Sequence, residues 1–114
     1  MKIGKIDTSK KIFIIAEIGN NHEGNFELAT KMIEEAAIAK VDAVKFQTFI
    51  PYHLSGGNQS RLKKLKKFQF TYEQFEKLSK IAKEKGLIFF STPFDLESAK
   101  FLNKIQPLFK ISSG

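Results

Sequence analysis

Polar side chains follow each of four short apolar runs in this sequence. They are Glu17, Lys45, Gln47, Thr48, Ser91, Thr92, Lys110, Ser112 and Ser113. Two of them, Lys45 and Lys110, are flanked by apolar residues, where an ammonium group is costly unless an anion or a carboxylate neutralises it. The hydroxyls of Thr92 and Ser113 are suited to phosphate or carboxylate oxygens. The pattern predicts a pocket for a small, highly charged molecule. An internal ion pair between Glu17 and either lysine is the alternative.

The segment 19–24, Gly-Asn-Asn-His-Glu-Gly, is the second candidate for chemistry. Its glycines permit a tight turn, and the N-terminus of a helix that follows attracts anions. Asn21 and His22 are therefore candidate substrate-binding residues. His22 has two other interpretations, a general acid or base and a group that stabilises the turn. The segment is neither a Walker loop nor a zincin motif, and His22 lacks partners for a metal site.

Four apolar runs predict the strands that would position these residues. They are Ile12–Ala16, Ala43–Phe46, Leu87–Phe90 and Leu108–Ile111. Their nearly continuous apolar character is typical of parallel strands covered on both faces. Within the second strand, the two-residue alternation puts Lys45 and Gln47 on one face and Val44 and Phe46 on the other.

Helix signals separate the predicted strands. Asn25 is a predicted N-cap of a helix that ends near Ala39, Thr71 and Gln74 form a capping-box signature, and Asp95 is a third cap. Gly86 is well placed to end the second helix. The stretch 50–69 is the least regular: Pro51 and Gly56-Gly57 predict a loop before a short helical piece that contains Leu62, Leu65 and Phe68.

The alternation of strands and helices predicts an α/β fold with a parallel sheet and right-handed crossovers. The carboxyl ends of parallel strands meet at one edge, so the polar residues above should converge. Two architectures fit, a small doubly wound sheet and part of an eight-stranded barrel of roughly 250 residues. The end at Gly114, directly after a predicted strand, favours the barrel fragment.

Composition excludes several classes of protein. The chain has 114 residues, 42% of them hydrophobic, which fits one folded domain and excludes disorder as the main state. The absence of cysteine excludes disulfides and thiolate chemistry. No apolar stretch is long enough to cross a bilayer and the start is polar, so we expect a cytoplasmic protein without a membrane partner. The net charge is +7, but one arginine and no tryptophan argue against nucleic acid and favour solvated lysine faces.

Four motifs, in order, carry a resemblance to a known family. They are the stretches 16–24 (AEIGNNHEG), 42–48 (DAVKFQT), 90–94 (FSTPF) and 109–114 (FKISSG). The chain resembles the sialic acid synthases, that is, N-acetylneuraminate synthase and its legionaminate, pseudaminate and spore-coat polysaccharide relatives. This resemblance implies a TIM (β/α)8 barrel, of which residues 1–114 would be the N-terminal part with about four strands. The remainder of the barrel and a C-terminal antifreeze-like domain would be absent.

The resemblance also implies an activity, the condensation of phosphoenolpyruvate with an N-acylaminohexose to give a nine-carbon 2-keto-3-deoxy acid and phosphate. Lys45, Thr92, Lys110 and Ser113 match positions that bind phosphoenolpyruvate, and Glu17 and Gln47 match positions on the sugar side. Glu17, Lys45 and Lys110 are the implied catalytic residues. The family uses a divalent metal, Mn²⁺ or Mg²⁺, held by histidines of later strands, so its ligands are not in this chain. A homodimer is implied for the full-length protein, and the isolated fragment is expected to be inactive.

Two other functions are compatible with these residues, and one residue departs from the family. Lys45 or Lys110 would be a nucleophile in a Schiff-base aldolase on the same barrel. A non-catalytic module that binds phosphorylated ligands is the third possibility. Lys40 stands where relatives usually have glycine, which predicts a turn with a left-handed residue and lower stability.

Overall fold

The computed structural model describes residues 2–3 and 6–106 of the chain. The strands are β1 (Lys2–Ile3), β2 (Ile6–Asp7), β3 (Ile15–Gly19), β4 (Ala43–Thr48) and β5 (Ile88–Pro93). The helices are α1 (Phe26–Ile38), α2 (Pro51–Ser55), α3 (Gln59–Phe68), α4 (Tyr72–Glu84) and α5 (Leu96–Leu102). None of these helices is long and apolar enough to span a membrane.

A parallel sheet of three strands, in the order β3-β4-β5, forms the centre of the described structure. Helices α1 and α4 pack against the same face of this sheet, where Val44, Phe46 and Phe89 join the buried core. The parallel α/β fold is thus confirmed.

The first strand of this sheet begins later than the apolar run predicts. The run Ile12–Ala16 is not the strand: pairing begins at Ile15, opposite Ala43, and β3 continues to Gly19. Just before the ladder, the Ile14 N–H donates to the Asp42 carboxylate at 2.8 Å, and the Ile14 carbonyl accepts the backbone N–H groups of Asp42 and Ala43. Ile12 is 82% exposed. Glu17 consequently lies inside the strand rather than at its end.

The predicted helix caps are confirmed by side-chain hydrogen bonds. Asn25 accepts from the Leu28 N–H at the start of α1, and Asp95 accepts from the Ser98 N–H at the start of α5. Thr71 and Gln74 form the reciprocal capping box of α4. These caps satisfy amide groups that have no partner within the helix itself, which fixes where each helix begins.

The irregular stretch 50–69 contains more structure than the sequence predicts. Pro51 does not mark a loop but occupies the first turn of α2, where its missing N–H costs nothing. The predicted helical piece is α3. Strands β4 and β5 extend beyond the predicted Phe46 and Phe90, to Thr48 and Pro93, so their polar residues belong to the sheet.

Two further sequence predictions concern the ends of the chain and one turn. The short hairpin of β1 and β2 was not predicted. The predicted fourth strand, Leu108–Ile111, lies outside the described residues. Lys40, between α1 and β4, adopts a left-handed backbone with φ of 60°, as its replacement of glycine predicts.

Candidate functional site

Four predicted site residues lie on one face of the sheet. Strand pairing sets Glu17 beside Lys45, and Gln47 beside Thr92. Side chains of paired residues in neighbouring strands point to the same side, and alternation along β4 puts Lys45 and Gln47 together. Val44 and Phe46 face the helices, as predicted. We call the side formed by Glu17, Lys45, Gln47 and Thr92 the polar face.

Lys45 and Glu17 form an ion pair across the β3–β4 ladder. The Lys45 Nζ lies 2.6 Å from the Glu17 Oε2. The lysine side chain is 14% exposed and that of the glutamate is 54% exposed. The sequence allowed two ways to neutralise Lys45, a bound anion or an ion pair with Glu17. The structure contains the ion pair. Because the carboxylate is largely solvated, the pair contributes on the order of 1 kcal/mol or less to folding.

Gln47 is held by Asn20, a residue that the sequence prediction missed. Asn20 Nδ2 donates to Gln47 Oε1 at 2.8 Å. Gly19 lies beside the Glu17 carboxylate and the Gln47 amide. A Cβ on Gly19 would be 3.4 Å from both Gln47 Nε2 and Glu17 Oε1. Since Asn20 and Asn21 are adjacent and equally polar, the sequence carries no signal for which of them turns inward.

Thr92 contributes a buried hydroxyl that has no protein partner in the described part of the chain. Its side chain is on the polar face, the residue is 3% exposed, and Oγ1 has no hydrogen bond there. Asn20 Oδ1 is buried without a partner among the same residues. Buried polar atoms are nearly always hydrogen-bonded, and leaving one unpaired costs about 1–3 kcal/mol. Among the described residues, the Thr92 hydroxyl on the polar face and the neighbouring Asn20 amide oxygen are thus without a hydrogen-bond partner.

Two other strand-end hydroxyls do not join the polar face, contrary to the sequence prediction of general convergence. Thr48 and Ser91 point to the helix side of the sheet, where their hydroxyls bond to each other at 2.8 Å. Both residues are buried. Side chains alternate along a strand, so consecutive polar residues at a strand end cannot all reach the same space.

The 19–24 segment places its two candidate residues differently. Asn21 is exposed, whereas His22 is 1% exposed. His22 Nδ1 accepts the Gly24 N–H at 2.9 Å, and the ring stacks on Phe70 with centroids 4.1 Å apart. Burial lowers the pKa of His22 from 6.5 to about 4, and the backbone of Gly19 opposes this shift. A neutral, enclosed imidazole favours the turn-stabilising interpretation over a general acid or base.

The remaining predicted residues, Lys110 and Ser113, lie outside the described part of the chain. Within residues 2–3 and 6–106, no group of three or more His, Asp or Glu side chains could hold a metal ion.

The polar face combines groups that suit two kinds of ligand. An ammonium and a free hydroxyl together bind an anionic oxygen, because both donate hydrogen bonds and one carries a positive charge. A carboxylate beside an amide binds hydroxyl groups, because the carboxylate accepts and the amide donates. Lys45 and Thr92 supply the first set, and Glu17 and Gln47 supply the second.

Proteins of known name match this chain along most of its length. It is 34% identical to the pseudaminic acid synthase of Campylobacter jejuni over 99% of this chain and 37% of that protein. It is 40% identical to the N,N'-diacetyllegionaminic acid synthase of the same species over 92% of this chain and 36% of that protein. The human N-acetylneuraminate-9-phosphate synthase is 30% identical over 90% of this chain and 32% of its own length. The chain thus spans about a third of these relatives.

A solved structure has the same fold. The N-acetylneuraminic acid (sialic acid) synthetase of Leptospira borgpetersenii, crystallised in complex with citrate, matches with a TM-score of 0.90 and 35% identity over 97% of this chain and 40% of that one. The NeuB family matches residues 32–114. From this match and the relatives above, the chain belongs to the NeuB family, whose named members here are synthases of sialic-acid-type sugars.

Proposed function

We propose that this chain is the phosphoenolpyruvate-binding part of a sialic-acid-type synthase, which joins phosphoenolpyruvate to an N-acylated aminohexose. The observation that carries this proposal is that Lys45, Glu17, Gln47 and Thr92 lie on one face of the sheet, where the Thr92 hydroxyl has no partner among the described residues. Synthase names among the relatives support the reaction class. The Leptospira relative was crystallised in complex with citrate, which like phosphoenolpyruvate is a small polyanion.

The proposed reaction balances with water as the third reactant. C3 of phosphoenolpyruvate forms a bond to the aldehyde carbon of the open-chain sugar, and the aldehyde oxygen takes a proton. Water adds to C2, the bond from C2 to the phosphate oxygen breaks, and inorganic phosphate leaves. Lys45 and Thr92 hold the anionic oxygens of phosphoenolpyruvate, which offsets its charge and fixes its orientation. Glu17 and Gln47 hold sugar hydroxyls next to C3.

Several parts of this proposal concern the whole protein rather than the described residues. Lys110 and Ser113 would add a second cation and a second hydroxyl to the phosphoenolpyruvate site. The three parallel strands would continue into a closed barrel, and a homodimer, a cytoplasmic location and an antifreeze-like domain belong to the same expectation. The divalent metal would be held by histidines of later strands, which belong to the whole protein.

The experiment that tests the proposal uses the complete polypeptide that contains this chain. Phosphoenolpyruvate is offered with N-acetylmannosamine, with diacetylated aminohexoses and without sugar, in the presence of Mn²⁺. We expect phosphate release that requires a sugar, together with a product whose mass equals the sum of the sugar and pyruvate. Release of phosphate without any sugar, or no product with any N-acylated aminohexose, would contradict the proposal.

A Schiff-base aldolase is the competing enzyme class, and one observation argues against it for Lys45. A Schiff base needs a neutral amine, whereas Lys45 is paired as a cation with Glu17 at 2.6 Å. Borohydride treatment in the presence of pyruvate separates the two mechanisms. A synthase gives no covalent adduct, and an adduct on Lys45 or Lys110 would replace the anion-binding role by a nucleophilic one.

A non-catalytic module for phosphorylated ligands makes a different prediction from either enzyme. Such a module binds phosphoenolpyruvate with the same affinity with and without sugar and metal, and it forms no product. Calorimetric titration of phosphoenolpyruvate alongside the phosphate assay therefore distinguishes a binding module from a synthase.

A further inference from the structure

His22 is enclosed by aromatic rings from two other parts of the chain. Its ring stacks on Phe70, which lies between α3 and α4, and faces Phe46 of β4 at 6.0 Å between centroids. The two interplanar angles are 24° and 29°. His22 is 1% exposed, so it cannot touch a substrate on the polar face. Its position is nevertheless fixed by the sheet and by the segment that links two helices.

The imidazole holds the loop that precedes α1 in one conformation. Nδ1 accepts the Gly24 N–H at 2.9 Å, and the loop is closed further by backbone bonds from Asn21 to Ile18 and from Glu23 to Asn20. Gly24 has φ of 81°, and a Cβ on it would lie 2.0 Å from the Lys67 carbonyl oxygen. The loop is thus fixed internally by His22 and externally by the end of α3.

The same loop determines which way the Gln47 amide faces. Asn20 Nδ2 donates to Gln47 Oε1 at 2.8 Å, so the oxygen of that amide is already occupied. The Gln47 NH₂ group is on the side of Gly19, where a Cβ would be 3.4 Å from both Gln47 Nε2 and Glu17 Oε1. With Asn20 in place, Gln47 presents a donor beside the acceptor carboxylate of Glu17. If Asn20 moved, the amide could rotate and present its oxygen instead.

We propose that His22 is a positioning residue for sugar selection, acting through the Gly24 amide and Asn20 to hold the Gln47 NH₂ group toward the substrate. The substrate, an N-acylated aminohexose, is taken from the proposed function, whereas the contacts from His22 to Gln47 are independent of it. Burial lowers the pKa of His22 to about 4, so the ring is neutral at neutral pH, and the bond that Nδ1 accepts from the Gly24 N–H places the single ring proton on Nε2. Phosphoenolpyruvate is held by other residues, so its binding should not depend on His22.

Two substitutions of His22 separate the hydrogen bond from the packing. His22→Phe keeps an aromatic ring between Phe46 and Phe70 but removes the acceptor, whereas His22→Asn keeps an acceptor near the place of Nδ1. In the complete polypeptide, we expect His22→Phe to raise the sugar KM about tenfold, the equivalent of one lost hydrogen bond, with the phosphoenolpyruvate KM within about twofold. His22→Asn should recover most of the sugar KM. Equal rises in both KM values, or no recovery in His22→Asn, would overturn the proposal.

A third variant covers the case in which substitution of the buried histidine prevents folding. Asn20→Ala cuts the link to Gln47 without altering the aromatic stack, and it should raise the sugar KM by a similar factor. An unchanged sugar KM in Asn20→Ala would contradict the proposed chain of contacts.

Failure of this inference is distinguishable from failure of the proposed function. A wild-type protein that makes no product with any N-acylated aminohexose refutes the function alone. The contacts are then tested by NMR, through the side-chain NH₂ resonances of Gln47 and the exchange rate of the Gly24 amide. We expect His22→Phe to change both signals and Asn20→Ala to change the Gln47 signals. If His22→Phe leaves both unchanged, His22 does not position Gln47.

Discussion

Lys45 Nζ and Glu17 Oε2 lie 2.6 Å apart across two neighbouring parallel strands, so the cation of the polar face already has a protein counter-ion. The glutamate is the more solvated partner. This arrangement keeps the lysine in place by an ion pair whose carboxylate remains accessible. A phosphorylated ligand would then contact a lysine that is also paired with Glu17. Lys45 would not have to move into the site from solvent.

Lys45→Met tests this role of the cation. We expect kcat/KM for phosphoenolpyruvate to fall by about a hundredfold or more, because a charge-assisted hydrogen bond to the ligand is lost. The free energy of unfolding should change by about 1 kcal/mol or less, since the pair is partly exposed. Phosphate release and urea denaturation measure the two effects. Lys63→Met, at an exposed position of α3, is the control that should change neither kcat/KM nor the free energy of unfolding. Activity of Lys45→Met within threefold of wild type would refute the role.

Thr92→Val should weaken ligand binding without lowering the stability of the protein. Its hydroxyl is buried without a partner among the described residues, so the valine variant should bind phosphoenolpyruvate about tenfold more weakly but be as stable as wild type, or about 1 kcal/mol more stable. Thr48→Val is the matched control because its hydroxyl bonds to Ser91 on the opposite face. That control should lose about 1–2 kcal/mol of stability and keep its affinity. Titration calorimetry measures the affinity and thermal unfolding measures the stability. A Thr92→Val variant that loses stability but keeps its affinity would show that Thr92 is structural.

The local signals of the sequence predicted the starts of α1, α4 and α5, because each cap depends on one or two neighbouring residues. Asn25, Thr71 and Asp95 all cap helices in the structure. Alternation likewise predicted that Lys45 and Gln47 share a face, since the side-chain period of a strand is fixed.

Long-range contacts were the part that the sequence could not supply. The Ile14 N–H, just before β3, donates to the Asp42 carboxylate, which is 28 residues away along the chain. Asn20 joins the polar face through Gln47, at a separation of 27 residues. Neither bond leaves a periodic pattern along the chain. The predicted convergence of Ser91 with Thr92 was wrong for a local reason, because side chains alternate along a strand and these two neighbours point to opposite faces of β5.

Lys40→Gly should stabilise the protein. Lys40 has φ of 60°, which costs a side-chain-bearing residue about 1 kcal/mol relative to glycine. The variant should therefore gain about 1 kcal/mol in the free energy of unfolding. Lys85→Gly is the control, because Lys85 ends α4 with φ of −85° and gains nothing from glycine. Urea denaturation of both compares them, and a loss of stability in Lys40→Gly would mean that its side chain contributes more than its backbone costs.

His22 makes stability depend on pH. Its pKa is about 4 when folded against 6.5 for the free side chain, so the unfolded chain binds more protons between these values. The stabilisation is therefore fully present above pH 6.5 and is lost as pH falls toward 4, by about 2 kcal/mol at pH 5. Denaturation at pH 7.5 and pH 5 measures this change. His22→Phe has no imidazole to protonate and should have a smaller slope over this interval; an equal slope would assign the effect to other groups.

Gly24→Ala should be far more damaging than an alanine at another left-handed glycine. Gly24 and Gly57 have similar φ values, 81° and 85°, so both substitutions carry a backbone cost of about 1 kcal/mol. A Cβ on Gly57 meets nothing within 4 Å, whereas one on Gly24 would lie 2.0 Å from the Lys67 carbonyl oxygen. That oxygen belongs to the backbone, so either the loop or the end of α3 must move.

The difference in stability between Gly24→Ala and Gly57→Ala measures the cost of the close approach of the loop to α3. We expect Gly57→Ala to lose about 1 kcal/mol and Gly24→Ala about 3 kcal/mol, because overpacking adds to the backbone cost. Urea denaturation of both measures it. Since the displaced loop carries Asn20, Gly24→Ala should also raise the sugar KM, while Gly57→Ala should not. Equal losses of stability would mean that the end of α3 moves at little energetic cost. In that case α3 would not hold the loop in place.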